Sequence, residues 1–285
     1  MRESQVRVGD VSLTLREWGQ GGRSLVYWHG LNPFGALSLN EAGPVWADEG
    51  FHVVAIAAPG IADPHALPDL TAYRPTRLAD LVVGVADDLQ LGRFAYLGWS
   101  WGASIGVHLG ARHSERLDAL VLLDAGHTDI PGDSNRSLED VLSELSEQQE
   151  RYRFANWDAF LDAVREQHPA LRPALEARFR AGMQEDDRGE IVARSDRRAA
   201  AAAWHGLLQE QPSSAHEALG TTGLRVLLVL PTRDETRAEL ERFRAQVPEV
   251  ETHEIDSDHD LLADAADETI QAVGDWLRST VPAPH

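Results

Sequence analysis

The stretch Leu97 to Ser104, LGWSWGAS, sets one serine between two tryptophans, with a glycine outside each. It closes the apolar run RFAYLGWS (93–100) and opens a helix-like stretch at 101–113, so Ser100 falls where a strand hands over to a helix. There a Gly-x-Ser-x-Gly pattern describes a nucleophile elbow, a sharp turn that holds a hydroxyl clear of the sheet. Gly98 and Gly102 suit such a turn because the backbone crosses itself closely and a Cβ would clash. Ala103, Gly106 and Gly110 are small enough to let the helix lie tight on the sheet. Its N-terminus would aim free N–H groups at developing negative charge. Taken alone, the same serine could simply cap the helix, so the rest of the chain has to decide.

Composition removes many alternatives. The 285 residues suffice for one large core or one core plus a subdomain, with ordinary hydrophobic (43%) and charged (25%) content. A net charge of -20 leaves no basic stripe to displace counterions from phosphates, which argues against nucleic acid as partner and against docking on anionic lipid. The chain has no cysteine and no lysine; all 26 basic residues are arginine. Thiol nucleophiles, Cys-ligated metals, disulfides, Schiff-base lysines, Ser-Lys dyads and the P-loop lysine are thereby excluded together. The opening MRESQVRVGDVSL lacks an apolar core of signal-peptide length and no later run approaches a membrane span, so a cytoplasmic location is the expectation. Oligomeric state is left open.

Valines and leucines alternating over residues 6–15 around Gly9-Asp10 predict a hairpin. The runs 24–30, 51–60, 93–100, 119–126 and 224–231 are β-rich and nearly continuous in apolar residues, as suits strands buried on both faces. Helical stretches lie between them, including 76–90, 101–113, 235–247 and 265–279. This alternation predicts an α/β fold with a mostly parallel sheet and helices on both faces. Residues 131–216 break it: no strand is expected there, only amphipathic helices. Ser137 with Asp140 forms a capping box, and Asn156 precedes Trp157, Phe160, Leu161 and Val164 on one helical face. The polar loop QEDDRGE (184–190) separates the last two helices. The expected organisation is a core from 1–130 and 217–285, with 131–216 as a helical cap.

A serine needs a base, and the base needs an orienting group. Of the 12 histidines, His259 in IDSDHDLLAD is best placed, just after the short strand Val250 to Ile255. Asp234 follows the strand 224–230 and is the favoured acid, while Asp124, which ends ALVLLD one strand earlier, is the alternative. The chain order Ser, Asp, His holds for either. Independently, YWHGL (27–31) ends an early strand in His-Gly, so the backbone N–H groups of Leu31 and Trp101 could form an oxyanion hole.

With these elements in order, the chain resembles the α/β-hydrolase fold superfamily over essentially its whole length. The resemblance implies an eight-stranded, mostly parallel sheet with an inserted helical cap. It implies Ser100 as nucleophile, His259 as base, Asp234 or Asp124 as acid, and Leu31 and Trp101 as oxyanion donors. It implies no metal or organic cofactor. The loop AAPGIADP departs from the Asp-x-x-Gly-x-Gly-x-Ser run common in relatives. A serine also argues against the haloalkane dehalogenase and epoxide hydrolase branches, which place Asp at this position.

The acidic clusters around His259 and at His127/Asp129 lack a complete metal-ligand set. His29, Trp99, Trp157, Phe160 and Trp204 are candidate pocket residues, though the cap aromatics could equally be its core. The expected activity is hydrolysis of a small or medium, largely apolar carboxylic ester. A peptidase or amidase of the proline iminopeptidase type would need a cap carboxylate such as Glu144 or Asp158 for the substrate amine. A C–C bond hydrolase fits the same triad, and a catalytically silent ligand-binding member of the fold is the non-enzyme alternative.

Overall fold

A computed structural model describes residues 1–151, 153–168, 171–232 and 236–282. The chain opens with β1 (Arg2–Val8) and β2 (Val11–Trp18), then β3 (Arg23–Trp28), α1 (Ala42–Asp48), β4 (Phe51–Ile56), α2 (Pro75–Asp88), β5 (Phe94–Trp99), α3 (Trp101–His113) and β6 (Leu117–Leu123). After an inserted segment come β9 (Val226–Pro231), α9 (Arg237–Gln246), β10 (Val250–Ile255), α10 (Leu261–Asp264) and α11 (Ala266–Thr280). The strands form one eight-stranded sheet in the order β1-β2-β4-β3-β5-β6-β9-β10. The β1–β2 and β2–β4 pairs are antiparallel and every other pair is parallel. The expected fold class is therefore the observed one. The hairpin turns at Gly9-Asp10 with Val8 opposite Val11, and Gly9 takes a left-handed φ of 59°.

Strand alternation divides the core into two layers. Val26, Trp28, Val54, Tyr96 and Leu120 face α2 and α3, while Leu25, Tyr27, Val53, Leu97 and Val121 face α1 and α11. Because residues on both faces are buried, these strands read as continuous apolar runs rather than as alternation.

Among the described residues between β6 and β9, no strand joins this sheet. This segment holds α4 (Leu138–Arg151), α5 (Trp157–Gln167), α6 (Pro173–Ala181), α7 (Arg197–Gln209) and α8 (Ser213–Gly220). Ser137 Oγ accepts from Asp140 N–H (3.1 Å) and Asn156 Oδ1 from Ala159 N–H (2.9 Å), so both predicted caps form. One expectation fails: the segment does contain strands. β7 (Met183–Glu185) pairs antiparallel with β8 (Ile191–Ala193) around the loop DDRG. Three-residue strands are too short to show a period, and Phe154 extends the ladder through a bridge to Ile191 from far along the chain. α8 straddles position 216 and packs Leu219 against Gly110 of α3, on the core itself. Among the described residues no helix is long and apolar enough to cross a membrane.

Candidate active site

Ser100 joins β5 to α3 with φ 54° and ψ −112°, a left-handed conformation that is rare for a residue bearing a Cβ. The turn is pinned on both sides. Ser100 N–H donates to Leu123 O (3.0 Å), and Ser100 O accepts from Ala103 N–H (2.9 Å) and Ser104 N–H (3.1 Å). The flanking glycines have the expected steric reason. A Cβ on Gly98 would lie 2.3 Å from Gly102 O, and one on Gly102 would lie 2.0 Å from Trp28 O. The first turn of α3 thus sits directly on the end of β3, which brings Trp101 beside the loop that begins at His29.

His259, in the loop after β10, completes a hydrogen-bonded chain. Its Nε2 lies 3.0 Å from Ser100 Oγ, and its Nδ1 lies 2.6 Å from Asp124 Oδ2. The carboxylate on the imidazole is therefore that of Asp124, the sequence alternative. Asp234, favoured from the sequence, lies outside the described residues. Asp124 follows β6 with φ 46°, and its N–H donates to Val229 O (2.9 Å), so a left-handed turn swings its side chain toward His259. The hydrogen bond with Asp124 holds the His259 pKa above the usual 6.5 although burial opposes it; the charges of Asp124 and Asp260 act the same way.

That shift has a kinetic consequence. A general base must be neutral, and a raised pKa keeps the proton on to higher pH. The acid limb of kcat/KM for a neutral substrate is therefore expected above pH 6.5, and Asp124→Asn should move it to lower pH. A wild-type limb at or below that value, in a pH–rate profile, would contradict the arrangement.

The Leu31 and Trp101 N–H groups face the requirements of an oxyanion hole differently. Trp101 is the first residue of α3, where an N–H has no acceptor within the helix. Leu31 lies in the loop after β3, and among the described residues its N–H has no backbone acceptor. His29 braces that loop. It is fully buried, its Nδ1 lies 2.6 Å from Gly30 O, and its Nε2 accepts from Ala58 N–H (3.0 Å). This pairing puts the proton on Nδ1, and burial depresses the pKa to about 4, so the ring is neutral.

Ala58 belongs to AAPGIADP, the departure from the common run. Its carbonyl accepts from the N–H groups of Ile61, Ala62 and Asp63, and Asp196 N–H at the start of α7 donates to Gly60 O (2.7 Å). The loop thus anchors the start of α7.

A cavity of about 910 Å³ extends from His259, Leu31 and Trp99 under the cap. Phe34, Phe154, Phe160, Phe179, Met183 and Val164 supply apolar wall, with Asp258, Asp260 and Asp264 also lining it. Of the candidate pocket residues, Trp99 and Phe160 line it. His29 is buried beneath the loop that carries Leu31, Trp157 packs against Phe160 and Arg180, and Trp204 joins the α4–α7 core around Val141 and Leu208. Those three therefore belong to packing: none of them lines the cavity, His29 lying in the loop after β3 and the two tryptophans packing against neighbouring cap side chains. Sequence reasoning missed Phe34, Phe179 and the β7–β8 residues Met183 and Ala193; only Phe34, three residues after Leu31 in the same loop, carried a positional signal.

This fold and site define a class. Residues 19–185 match the α/β-hydrolase fold family, and the chain belongs to it. Among curated relatives, a protein of Mycobacterium phage D29 named as a non-heme haloperoxidase is 33% identical over 36% of this chain and 36% of its own length. Epoxide hydrolase A of Mycobacterium tuberculosis (strain ATCC 25618 / H37Rv) is 31% identical over 42% of this chain and 38% of its own. The matches thus span less than half the length of these relatives. The fold is shared end to end with E-2-(acetamidomethylene)succinate hydrolase, at a TM-score of 0.75 and 19% identity over 97% of this chain and 99% of that one. The enol-lactonase from Burkholderia xenovorans LB400 superposes at 0.74 with 19% identity, covering 96% of this chain and 100% of that one.

Proposed function

We propose that this chain is a serine hydrolase that cleaves small to medium, largely apolar carboxylic esters through an acyl-enzyme on Ser100. The observation that carries this reading is the chain Ser100 Oγ, His259 Nε2, His259 Nδ1, Asp124 Oδ2, at 3.0 and 2.6 Å, on a strained elbow. Ser100 Oγ attacks the ester carbonyl carbon as its proton passes to His259 Nε2. The Leu31 and Trp101 N–H groups donate to the developing oxyanion, each contributing about 3 to 4 kcal/mol of transition-state stabilisation. Collapse of the tetrahedral intermediate returns the proton from Nε2 to the departing alkoxide. Water, deprotonated by the same nitrogen, then attacks the acyl carbon, and collapse of this second intermediate returns the proton from Nε2 to Ser100 Oγ as the acid leaves. Asp124 acts throughout as acceptor for Nδ1–H, fixing the tautomer and stabilising the imidazolium.

The cavity lining supports the substrate class. Aromatic and aliphatic walls favour an apolar acyl or alcohol group, while the nearby carboxylates disfavour anions. Arg178 close to the cavity is already paired with Asp260, and His168 with Asp264. A p-nitrophenyl ester series should gain about 0.8 kcal/mol, or about fourfold in kcat/KM, per added methylene until the cavity fills. An ω-carboxylate ester of equal length should be poorer, and aminoacyl p-nitroanilides poorer still. Faster turnover of the anilides would replace the esterase reading with an amidase one.

A further inference from the structure

One cap side chain reaches all three catalytic loops. Arg178 on α6 is only 5% exposed, and its Nη2 donates to Asp260 Oδ2. Its guanidinium lies 4.7 Å from the centroid of the Phe34 ring and 5.7 Å from that of Trp99. Phe34 belongs to the loop that carries Leu31, Trp99 immediately precedes Ser100, and Asp260 immediately follows His259. The contacts continue at two of these loops. Asp260 Oδ1 accepts from Ala263 N–H (3.1 Å) at the start of α10, and the Trp99 indole N–H donates to the His259 carbonyl (3.0 Å).

We propose that Arg178 is a positioning residue for the triad: through Asp260, Phe34 and Trp99 it makes docking of the cap and alignment of the catalytic groups a single event. The inference rests on the serine-hydrolase reading above. A buried ion pair adds little to stability relative to apolar side chains of similar volume, so stability alone is a weak reason for a guanidinium here. Geometry is a stronger one. A planar guanidinium can donate to a carboxylate while presenting its flat face to aromatic rings, which an ammonium cannot reproduce. Sub-ångström alignment of a nucleophile, base and oxyanion donors is where such rigidity affects rate, since a 1 Å displacement can cost about 100-fold.

The test uses the full chain with two small reagents, p-nitrophenyl acetate and a short-chain fluorophosphonate. Reaction of the latter at Ser100 needs His259 and the oxyanion donors but little of the apolar cavity. Arg178→Met is expected to slow kcat and phosphonylation about 10- to 100-fold while leaving KM within about threefold. Arg178→Lys should recover part of the loss. Arg178→Met combined with Asp260→Asn should be no slower than the slower single variant, because partners acting as a unit are not additive. A folded Arg178→Met with phosphonylation within about twofold of wild type, changing only KM, would overturn the proposal in favour of a residue that merely holds the cap. Losses that multiply in the double variant would also overturn it. Should Arg178→Met fail to fold, Asp260→Asn and Arg178→Lys carry the test, each expected to slow phosphonylation with KM retained; wild-type rates in both would refute it. Failure of wild-type Ser100 to react at all is a separate result and defeats the serine-hydrolase reading itself.

Discussion

Ser100→Ala is expected to lower kcat for p-nitrophenyl butyrate by about a millionfold, the loss typical of removing the nucleophile from a triad that acts as a unit. In the proposed mechanism this hydroxyl forms the acyl-enzyme, and the elbow offers no substitute: both neighbours are tryptophans and the chain has no cysteine or lysine. Residual catalysis above water would come from the oxyanion donors and binding alone. Because alanine at 100 faces the same left-handed φ of 54° as serine, the substitution leaves the backbone cost in place. Thermal unfolding should therefore change little, and the loss should be read as chemistry. Steady-state assays that retained activity within about a hundredfold would show that another group does the work.

Asp124→Asn should be the next most damaging change, lowering kcat by about 10⁴-fold. The reason is tautomeric. An asparagine amide donating to His259 Nδ1 would push the ring proton onto Nε2, which could then no longer take the proton of Ser100. The companion variant Asp234→Asn discriminates between the two acids: turnover should stay within about tenfold of wild type, because a carboxylate already sits 2.6 Å from Nδ1. If Asp234→Asn carries the large loss and Asp124→Asn does not, the assignment of Asp124 is wrong. Purified variants, with residual rates checked for contamination by Ser100→Ala as background, settle this by kcat alone.

Much of the scaffold was legible because its signals are local. Strands buried on both faces read as apolar runs, the capping groups of Ser137 and Asn156 sit at fixed offsets from their helices, and Gly98 and Gly102 have steric reasons a few residues away. The juxtaposition of Ser100 with His259 was legible for the same reason: each follows a strand end in a setting with few competitors. The carboxylate that pairs with His259 was not, because in the sequence Asp124 and Asp234 both follow predicted strand ends. What sets Asp124 apart is a backbone φ of 46° and a hydrogen bond to Val229 on the neighbouring strand, and neither leaves a pattern in the chain.

The pocket was hardest to read. A helical face shows which residues are apolar but not what they face, so Trp157 and Trp204 looked as suitable as Phe160. The β7–β8 hairpin, with only three residues in each strand, was invisible to periodicity, yet it supplies Met183 and Ala193 to the cavity wall. The Arg178–Asp260 pair joins residues far apart in sequence, and an arginine on an amphipathic cap helix reads as solvated until the tertiary fold buries it. Cap packing is a long-range property, and this chain specifies it through contacts rather than motifs.

The most direct test of the central claim is covalent. The folded chain is incubated with a fluorophosphonate probe, digested, and mapped by mass spectrometry. A single adduct on the peptide containing LGWSWGAS, located at Ser100 and abolished by Ser100→Ala and by His259→Ala, is the predicted result. A folded sample that takes up no probe, or carries it on another residue, would contradict the account.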